Sequence, residues 1–309
     1  MKTKTYDGQK SLLRLLLPLF FLLIVIFITT TSTNGQAYDS LLHLPGHQAQ
    51  VYHSKSASDK AKRMAVQLDR VMQFYSGQTG FTPSVTLLVL SPADWNKYSQ
   101  GMVYGMPHYT NNKTLIVAAE NNDFWKSFIP PLDKLPKELS SAISKTYSDP
   151  VNGLSMEPFF DLLAIHELGH AYHTQCGLLM QRNWMGELFV NIFLHSYIAE
   201  KEPTLLPALT LFPTMVVTMT DTATLKYTSL QDLEKYYNQI AQQSPQNYGW
   251  YQCRWHREAG FIHESAGLQV LSRLWSALKT QQAVVDDEAL IKMLSEKIHP
   301  RVAAVMQDW

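Results

Sequence analysis

The stretch "FFDLLAIHELGHAYHTQCG", residues 159–177, decides the expected fold, because it places two histidines and a glutamate within an apolar helical pattern. Residues four apart lie on one face of an α-helix, about 6 Å apart along its axis. His166 and His170 can therefore both direct an imidazole at one ion, as in a tetrahedral zinc site. Glu167 lies one position round the helix, where it can act as a general base towards water at the metal. The alternative interpretation is a buried helix that carries two histidines by coincidence.

The third ligand decides which class of zinc enzyme the motif indicates. In one class a third histidine follows the second by six residues, after a glycine turn, but here those positions hold Cys176 and His173. His173 shares the helical face, yet it lies about 10 Å along the axis from His166, which is too far for one ion to join them comfortably. We therefore expect His173 to be a polar residue near the helix end, and the third ligand to come from elsewhere.

Glu187, on a second helix, is the predicted third ligand. Gly177 suits the C-terminal end of the first helix, and Asn183 suits the N-cap of a second helix, "WMGELFVNIFLHSYIAEKE". The short connector makes the two helices antiparallel, so the first turns of the second lie beside His170. A lone carboxylate in such an apolar stretch is costly unless it is paired or bound to metal.

Three other side chains on the second helix are weighed against Glu187. Glu200 and Glu202 flank Lys201 at the far end of the helix, and we expect them to be solvated charges. Asn191 lies one turn beyond Glu187, where it could orient a ligand or satisfy a buried carbonyl group.

The flanking segments predict an α+β fold with two lobes. Residues 38–150 form the predicted α/β lobe, and residues 151–309 the predicted helical lobe, which holds the zinc site. A loop-rich connector with three prolines is expected over 126–150, and an apolar core or pocket-lining segment over 204–219. Periodicity predicts helices over 58–77, 93–99, 229–243 and 263–279, strands over 84–90 and 113–119, and a turn at Asn111–Asn112.

The first 37 residues have the order of a secretory signal peptide. Basic residues precede an apolar run over 15–28, and a polar segment with small residues follows it. The run is shorter than the roughly 20 residues that a spanning helix needs, although an uncleaved N-terminal anchor is the alternative. We expect an extracytoplasmic protein, periplasmic or secreted, with no other membrane contact. Cys176 and Cys253 either pair there or remain separate buried thiols.

The charge balance excludes one class of partner. The 309-residue chain has 26 basic and 26 acidic residues, so nothing electrostatic favours nucleic acid or an anionic membrane surface. Sequence leaves the oligomeric state open.

The motifs resemble those of a known family. "HELGH" followed by a helix with "GELFVN" is similar to the gluzincin group of zinc metallopeptidases, whose ligands are two histidines and one glutamate. "ELFVNIF" also resembles a pattern in small peptidases of the phage-repressor-cleaving type. The resemblance covers about residues 157–203. It implies a zincin-like fold with an edge strand before the motif helix, a Zn²⁺ cofactor, and Glu167 as general base.

The expected function is hydrolysis of peptide bonds in a peptide or protein substrate. His166, His170 and Glu187 would hold the metal, and the substrate would lie along the "KTLIVAA" strand, residues 113–119, as an added strand. An oxyanion donor is expected from "QNYGWYQCRWHREAGFIH", residues 246–263, which offers Tyr248, Tyr251, His256 and His263, with Tyr251 as first choice. The alternatives are an inactive secreted module that binds zinc or peptide, and a zinc hydrolase of a non-peptide amide.

Overall fold

The computed structural model describes residues 38–149, 151 and 153–309. The fold is α+β, with a small sheet followed by a helical majority. The predicted signal peptide or anchor, residues 1–37, lies outside the described residues. Within the part of the chain that is described, no helix combines the length and apolarity needed to cross a bilayer.

A five-stranded mixed sheet forms the N-terminal lobe. The strands lie in the order β1-β2-β3-β5-β4, and β2, β3 and β5 are parallel, whereas β1 and β4 are antiparallel at the two edges. The strands span Leu42–Leu44 (β1), Gln50–His53 (β2), Thr86–Leu90 (β3), His108–Thr110 (β4) and Thr114–Ala118 (β5). Helices α1 (Ser58–Thr79) and α2 (Pro92–Tyr98) follow β2 and β3. The predicted order of helix, strand, helix and strand is confirmed.

The position of β5 corrects one prediction. The "KTLIVAA" segment was expected to be the edge strand, but β5 is fully buried between β3 and β4. The edge is β4, which joins β5 through the predicted turn at Asn111 and Asn112, both with left-handed φ of 54° and 49°. With only three residues, β4 is too short for its alternation to be recognised in the sequence.

The connector over 126–150 is more helical than expected. Helix α3 (Asp123–Ser127) enters it, a 3₁₀ turn covers Leu132–Lys134, and helix α4 covers Lys137–Tyr147. Helix α4 buries only Ile143 and Tyr147, and the three prolines that precede it favoured a loop in the sequence. A two-stranded ribbon, β6 (Ser148–Asp149) with β7 (Gly153–Leu154), then leads into the helical lobe.

Eight α-helices follow in the described part of the helical lobe. They span Glu157–Gln175 (α5), Met185–Lys201 (α6), Leu206–Met219 (α7), Leu230–Gln243 (α8), Pro245–Ala266 (α9), Gln269–Thr280 (α10), Asp287–Met293 (α11) and Pro300–Gln307 (α12). The apolar segment over 204–219, expected to be core or pocket lining, is mostly helix α7. Its buried residues are Ala208, Leu209, Phe212, Pro213 and Met215. Buried apolar side chains of both lobes form one continuous cluster, and the boundary near residue 150 stays a prediction.

Three helix boundaries test the capping signals. Gly177 ends α5 as predicted, since it adopts φ +69° and its amide, like that of Leu178, bonds to a carbonyl of the last turn. Asn183 is not the N-cap of α6, because Trp184 holds that position and Asn183 bonds to Glu234 instead. The helix predicted over 263–279 is two helices, because Gly267, with φ +66°, breaks it. Cys176 and Cys253 are both free thiols.

Candidate metal centre

His166, His170 and Glu187 come together between α5 and α6. One ligand atom from each lies within 4.8 Å of the other two, so the group could hold a metal ion. His166 Nε2 is 3.5 Å from Glu187 Oε2, and His170 Nε2 is 3.8 Å from Glu187 Oε1. The structure therefore places the three side chains as the sequence predicts for a ligand set.

Close packing of the two helices brings the three side chains together. The histidines lie one turn apart on α5, and Glu187 is in the first turn of α6. Gly169 faces Val190, and a Cβ atom at Gly169 would lie 3.0 Å from Val190 Cγ1 and 3.3 Å from its Cα. The missing side chain thus allows the two backbones to approach.

The two oxygens of Glu187 have different surroundings. Oε1 accepts a hydrogen bond of 2.9 Å from the Tyr237 hydroxyl on α8. Oε2 is buried without a hydrogen-bond partner among the described residues, and it faces His166. A buried carboxylate oxygen without a partner costs free energy, and a cation beside it would remove that cost. The donor set, two imidazoles and one carboxylate, is one that zinc accepts.

The electrostatics of the three groups also suit a cation. Burial alone would raise the pKa of Glu187, but the imidazoles of His166 and His170, which favour its ionised form, hold that pKa well below its usual range. Burial lowers the pKa of His170 to about 3. Burial also acts to lower the pKa of His166, but Glu187 and Glu167 outweigh it and raise that pKa. At neutral pH the site holds an ionised carboxylate and a neutral His170.

Glu167 lies beside the candidate ligands and contacts the sheet. Burial raises its pKa to about 7, against the opposing effects of His166 and of a hydrogen bond from the Tyr109 backbone. Tyr109 belongs to edge strand β4. The Glu167 side chain therefore points from the motif helix towards that edge. Its side chain keeps partial contact with solvent. A group so placed can exchange protons with a molecule that lies along β4.

Gln175 at the end of α5 fastens the motif helix to the sheet. Its side-chain nitrogen donates to the carbonyl oxygens of Ser84 and Asn112 and to the Tyr109 hydroxyl, each at 3.0 Å. Its side-chain oxygen accepts from the Ser84 backbone amide at 2.8 Å. These hydrogen bonds join the C-terminal end of α5 to the β4–β5 hairpin and to the segment before β3.

The start of α5 is fastened by a buried lysine. Lys60 Nζ on α1 lies 2.6 Å from Glu157 Oε1 and 2.6 Å from Asp161 Oδ1. Lys60 is only 4% exposed, so the pair of carboxylates satisfies a charge that would otherwise be costly to bury. Both ends of the motif helix are thus tied to the N-terminal lobe.

His173 and Asn191 lie behind the candidate ligands. The expectation for His173 was wrong, whereas one of the two expectations for Asn191 is confirmed. His173 was expected to be an ordinary polar residue near the helix end, but it is buried and its Nε2 lies 3.0 Å from His170 Nδ1. Asn191 donates to the Glu187 backbone carbonyl at 2.9 Å, so it does satisfy a buried carbonyl. Among the described residues, Asn191 Oδ1 and His166 Nδ1 are both buried without a hydrogen-bond partner.

Tyr251 is not at the centre, which corrects its prediction as oxyanion donor. Its hydroxyl donates to the Ser229 carbonyl at 2.7 Å, and its ring stacks on Trp309. Burial and Asp232, rather than Glu167 or Glu187, raise its pKa. Tyr251 is therefore part of the packing between the start of α8 and α9.

Tyr237 and Tyr248 occupy the place that was expected for Tyr251. Tyr248, on α9, was one of the four candidates in that segment, and its pKa is raised by burial and then by the charges of Glu187 and Glu167. The Tyr237 hydroxyl also affects the pKa of Tyr248, so the two phenol groups lie near each other. Tyr237 was missed in the sequence analysis, because Tyr236 and Tyr237 fit the apolar face of an amphipathic helix and nothing in that pattern indicates a functional role. A kink at Tyr236, whose φ and ψ are non-helical, precedes it.

The two candidate histidines on α9 lie in different places. His256 is buried next to the centre, with its ring 6.2 Å from that of His166. His263 contacts Ser196 and Glu200 at the far end of α6. Glu202 is also at that end and accepts from Tyr197 and Gln67.

Comparisons of the chain with protein-family models, with curated proteins and with solved structures found no match.

Proposed function

We propose that the chain is a zinc-dependent peptidase of the gluzincin type. His166, His170 and Glu187 hold the ion, and Glu187 Oε2, buried without a partner in the described structure, is the observation that carries the proposal. Zinc bound there supplies a Lewis acid, which polarises a carbonyl group and lowers the pKa of water towards about 7.

Glu167 is the general base. Its carboxylate takes a proton from the attacking water and passes it to the leaving amine. Its contact with the Tyr109 backbone supports this role, because an extended peptide added to β4 would run past it. An edge strand such as β4 can pair with an added peptide on its outer side, where Glu167 accepts a hydrogen bond from the Tyr109 backbone. Strand β4 therefore replaces residues 113–119 as the proposed substrate strand.

Tyr248 is the proposed donor to the developing oxyanion. Among the four candidates on α9, it is the one whose pKa responds to both Glu167 and Glu187. Tyr237 has a different task, because its hydroxyl already holds Glu187 Oε1. A phenol directed at the position where negative charge develops stabilises the transition state.

A peptide library tests the proposal. The wild-type protein with zinc should cleave peptides, a chelator should abolish cleavage, and added zinc should restore it. Glu167→Gln should lower kcat by about 10²–10⁴-fold with zinc still bound, because the base is lost while the ligands remain. Glu200→Gln, at the far end of α6, is the matched control and should leave the rate unchanged.

Each alternative has its own outcome in the same assay. Full activity in Glu167→Gln contradicts the proposed mechanism. Zinc uptake without hydrolysis of any substrate indicates a binding module, and hydrolysis confined to non-peptide amides indicates the other hydrolase class. The expected extracytoplasmic location, by secretion or by an anchor over residues 15–28, stays a prediction.

A further inference from the structure

His173 contacts the rear of a proposed ligand, and this contact has a chemical consequence. His170 Nε2 faces Glu187, so its other nitrogen, Nδ1, faces away from the ligand set. The nitrogen found 3.0 Å from that Nδ1 is His173 Nε2. A hydrogen bond at this distance needs one donor and one acceptor.

The direction of the hydrogen bond follows from metal binding. An imidazole that gives its Nε2 lone pair to a metal carries its proton on Nδ1. His170 Nδ1–H must therefore donate, and His173 Nε2 must accept. An accepting Nε2 means that His173 is neutral with its own proton on Nδ1. Occupation of the ligand set thus selects one tautomer at both histidines.

The surroundings of His173 hold the acceptor in place. The side chain is 8% exposed and lies between α5 and the start of α6. A Cβ atom at Gly186 would be 3.8 Å from His173 Nε2, and the Phe189 ring meets the His173 ring edge-on at 5.7 Å. Helix α6, which provides Glu187, therefore also fixes the residue that holds His170.

We propose that His173 is a positioning residue for the metal centre, acting as a neutral acceptor that orients His170 and fixes its tautomer. This inference rests on the ligand set of the proposed function, but not on peptidase activity. His173 is not a fourth ligand, since the nitrogen that faces His170 Nδ1 cannot also face an ion at His170 Nε2. Partners of this kind change metal affinity by about 10–100-fold when they are removed.

Two substitutions separate the acceptor from the volume of the side chain. His173→Leu keeps a similar volume and removes the acceptor, so the Kd for Zn²⁺, measured by competition with a chelator, should rise by about 10–100-fold. His173→Gln places an amide oxygen near the position of Nε2 and should restore most of the affinity. His195→Leu is the matched control, because His195 is an equally buried histidine on α6 that is two turns beyond Glu187.

A second readout reports on the hydrogen bond itself. In zinc-loaded wild type, the ¹H–¹⁵N NMR signal of His170 Nδ1–H should be protected from exchange with solvent, and in His173→Leu this protection should be lost. The Tm of each metal-free variant shows whether the fold is intact.

The outcomes are distinct. A wild-type Kd and a protected Nδ1–H in His173→Leu would overturn the inference, as would an equal loss of affinity in His195→Leu. Equal weakening in His173→Gln and His173→Leu would also overturn it, because an acceptor then makes no difference. A wild type that binds zinc but cleaves no peptide contradicts the peptidase alone. A wild type that binds no zinc overturns both proposals.

Discussion

At the candidate centre, side chains of the same type differ in their hydrogen-bond partners. Glu187 offers one oxygen to Tyr237 and leaves the other without a partner in the described structure. His170 and His166 differ in the same way, because His170 has a hydrogen-bond partner at the rear and His166 has none among the described residues. The sequence shows which residues are candidates, but the division of their lone pairs and protons depends on Tyr237 of α8 and His173 of α5.

His195 allows a test of acid sensitivity away from the ligands. Burial, and then the charge of His263, lower its pKa to about 4, against about 6.5 in an unfolded chain. Between these values the unfolded chain binds the proton more strongly, so stability is lost as pH falls from about 6.5. His195→Gln should reduce the slope of unfolding free energy against pH by up to about 1.4 kcal/mol per unit between pH 6.5 and 4.

Urea unfolding of the metal-free protein between pH 4.5 and 7.5 measures that slope. Above pH 6.5 the two proteins should differ by a constant amount, because the histidine is neutral in both the folded and the unfolded state. Identical slopes in wild type and His195→Gln would contradict the assignment.

At the scale of elements, the close approach of α5 and α6 brings the two histidines of α5 next to Glu187 of α6. Gly169 faces Val190 so closely that an added methyl group would require Val190 to shift by a few tenths of an ångström. The sequence indicates this closeness through a glycine in a helical pattern. It does not reveal that the partner is Val190, because a helical pattern contains no information about which face meets which helix.

Gly169→Ala should therefore destabilise the protein by about 1–3 kcal/mol, because the added methyl group meets Val190. Gly77→Ala is the matched control, since Gly77 is also in a helix but has nothing within 4 Å of its added Cβ. The control should gain about 0.5–1 kcal/mol from helix propensity. Denaturant unfolding measures both, and a Gly169→Ala protein as stable as the control would show that the contact does not limit the helix spacing.

At the scale of the whole molecule, the candidate centre is surrounded by elements that are far apart in the sequence. Lys60 and Gln175 fix the motif helix to the N-terminal lobe, whereas Tyr237 and Tyr248 approach the candidate ligands from α8 and α9. Occupation of the ligand set should therefore stabilise the entire fold, because an ion that binds only the folded state shifts the folding equilibrium.

Zinc at about 100 times its Kd should stabilise the protein by about 2.7 kcal/mol, which corresponds to a Tm increase of roughly 4–5 °C for a chain of this size. Calorimetry with and without a chelator measures the change. Glu187→Ala should lose the increase, because one ligand is missing. A Tm that responds equally to zinc in wild type and in Glu187→Ala would exclude Glu187 as a ligand.

Sequence alone determined the parts of this protein that depend on local spacing. His166 and His170 share a helical face because an α-helix has 3.6 residues per turn. The turn at Asn111–Asn112 follows from the tolerance of asparagine for left-handed φ, and the end of α5 follows from Gly177. Glu187 followed from burial of a lone carboxylate together with a short connector, which nearly fixes the geometry of two consecutive helices.

Only the tertiary structure decided which distant residues surround the ligands. The choice between Tyr248 and Tyr251 depends on the rotation of α9 about its axis, and the edge position of β4 depends on strand order. Helix α9 is aromatic on several faces, and strands of three or four residues have too little periodicity to be recognised. The physical reason is common to both. Local hydrogen bonding specifies each element, whereas the way elements pack is chosen by the burial of the whole core.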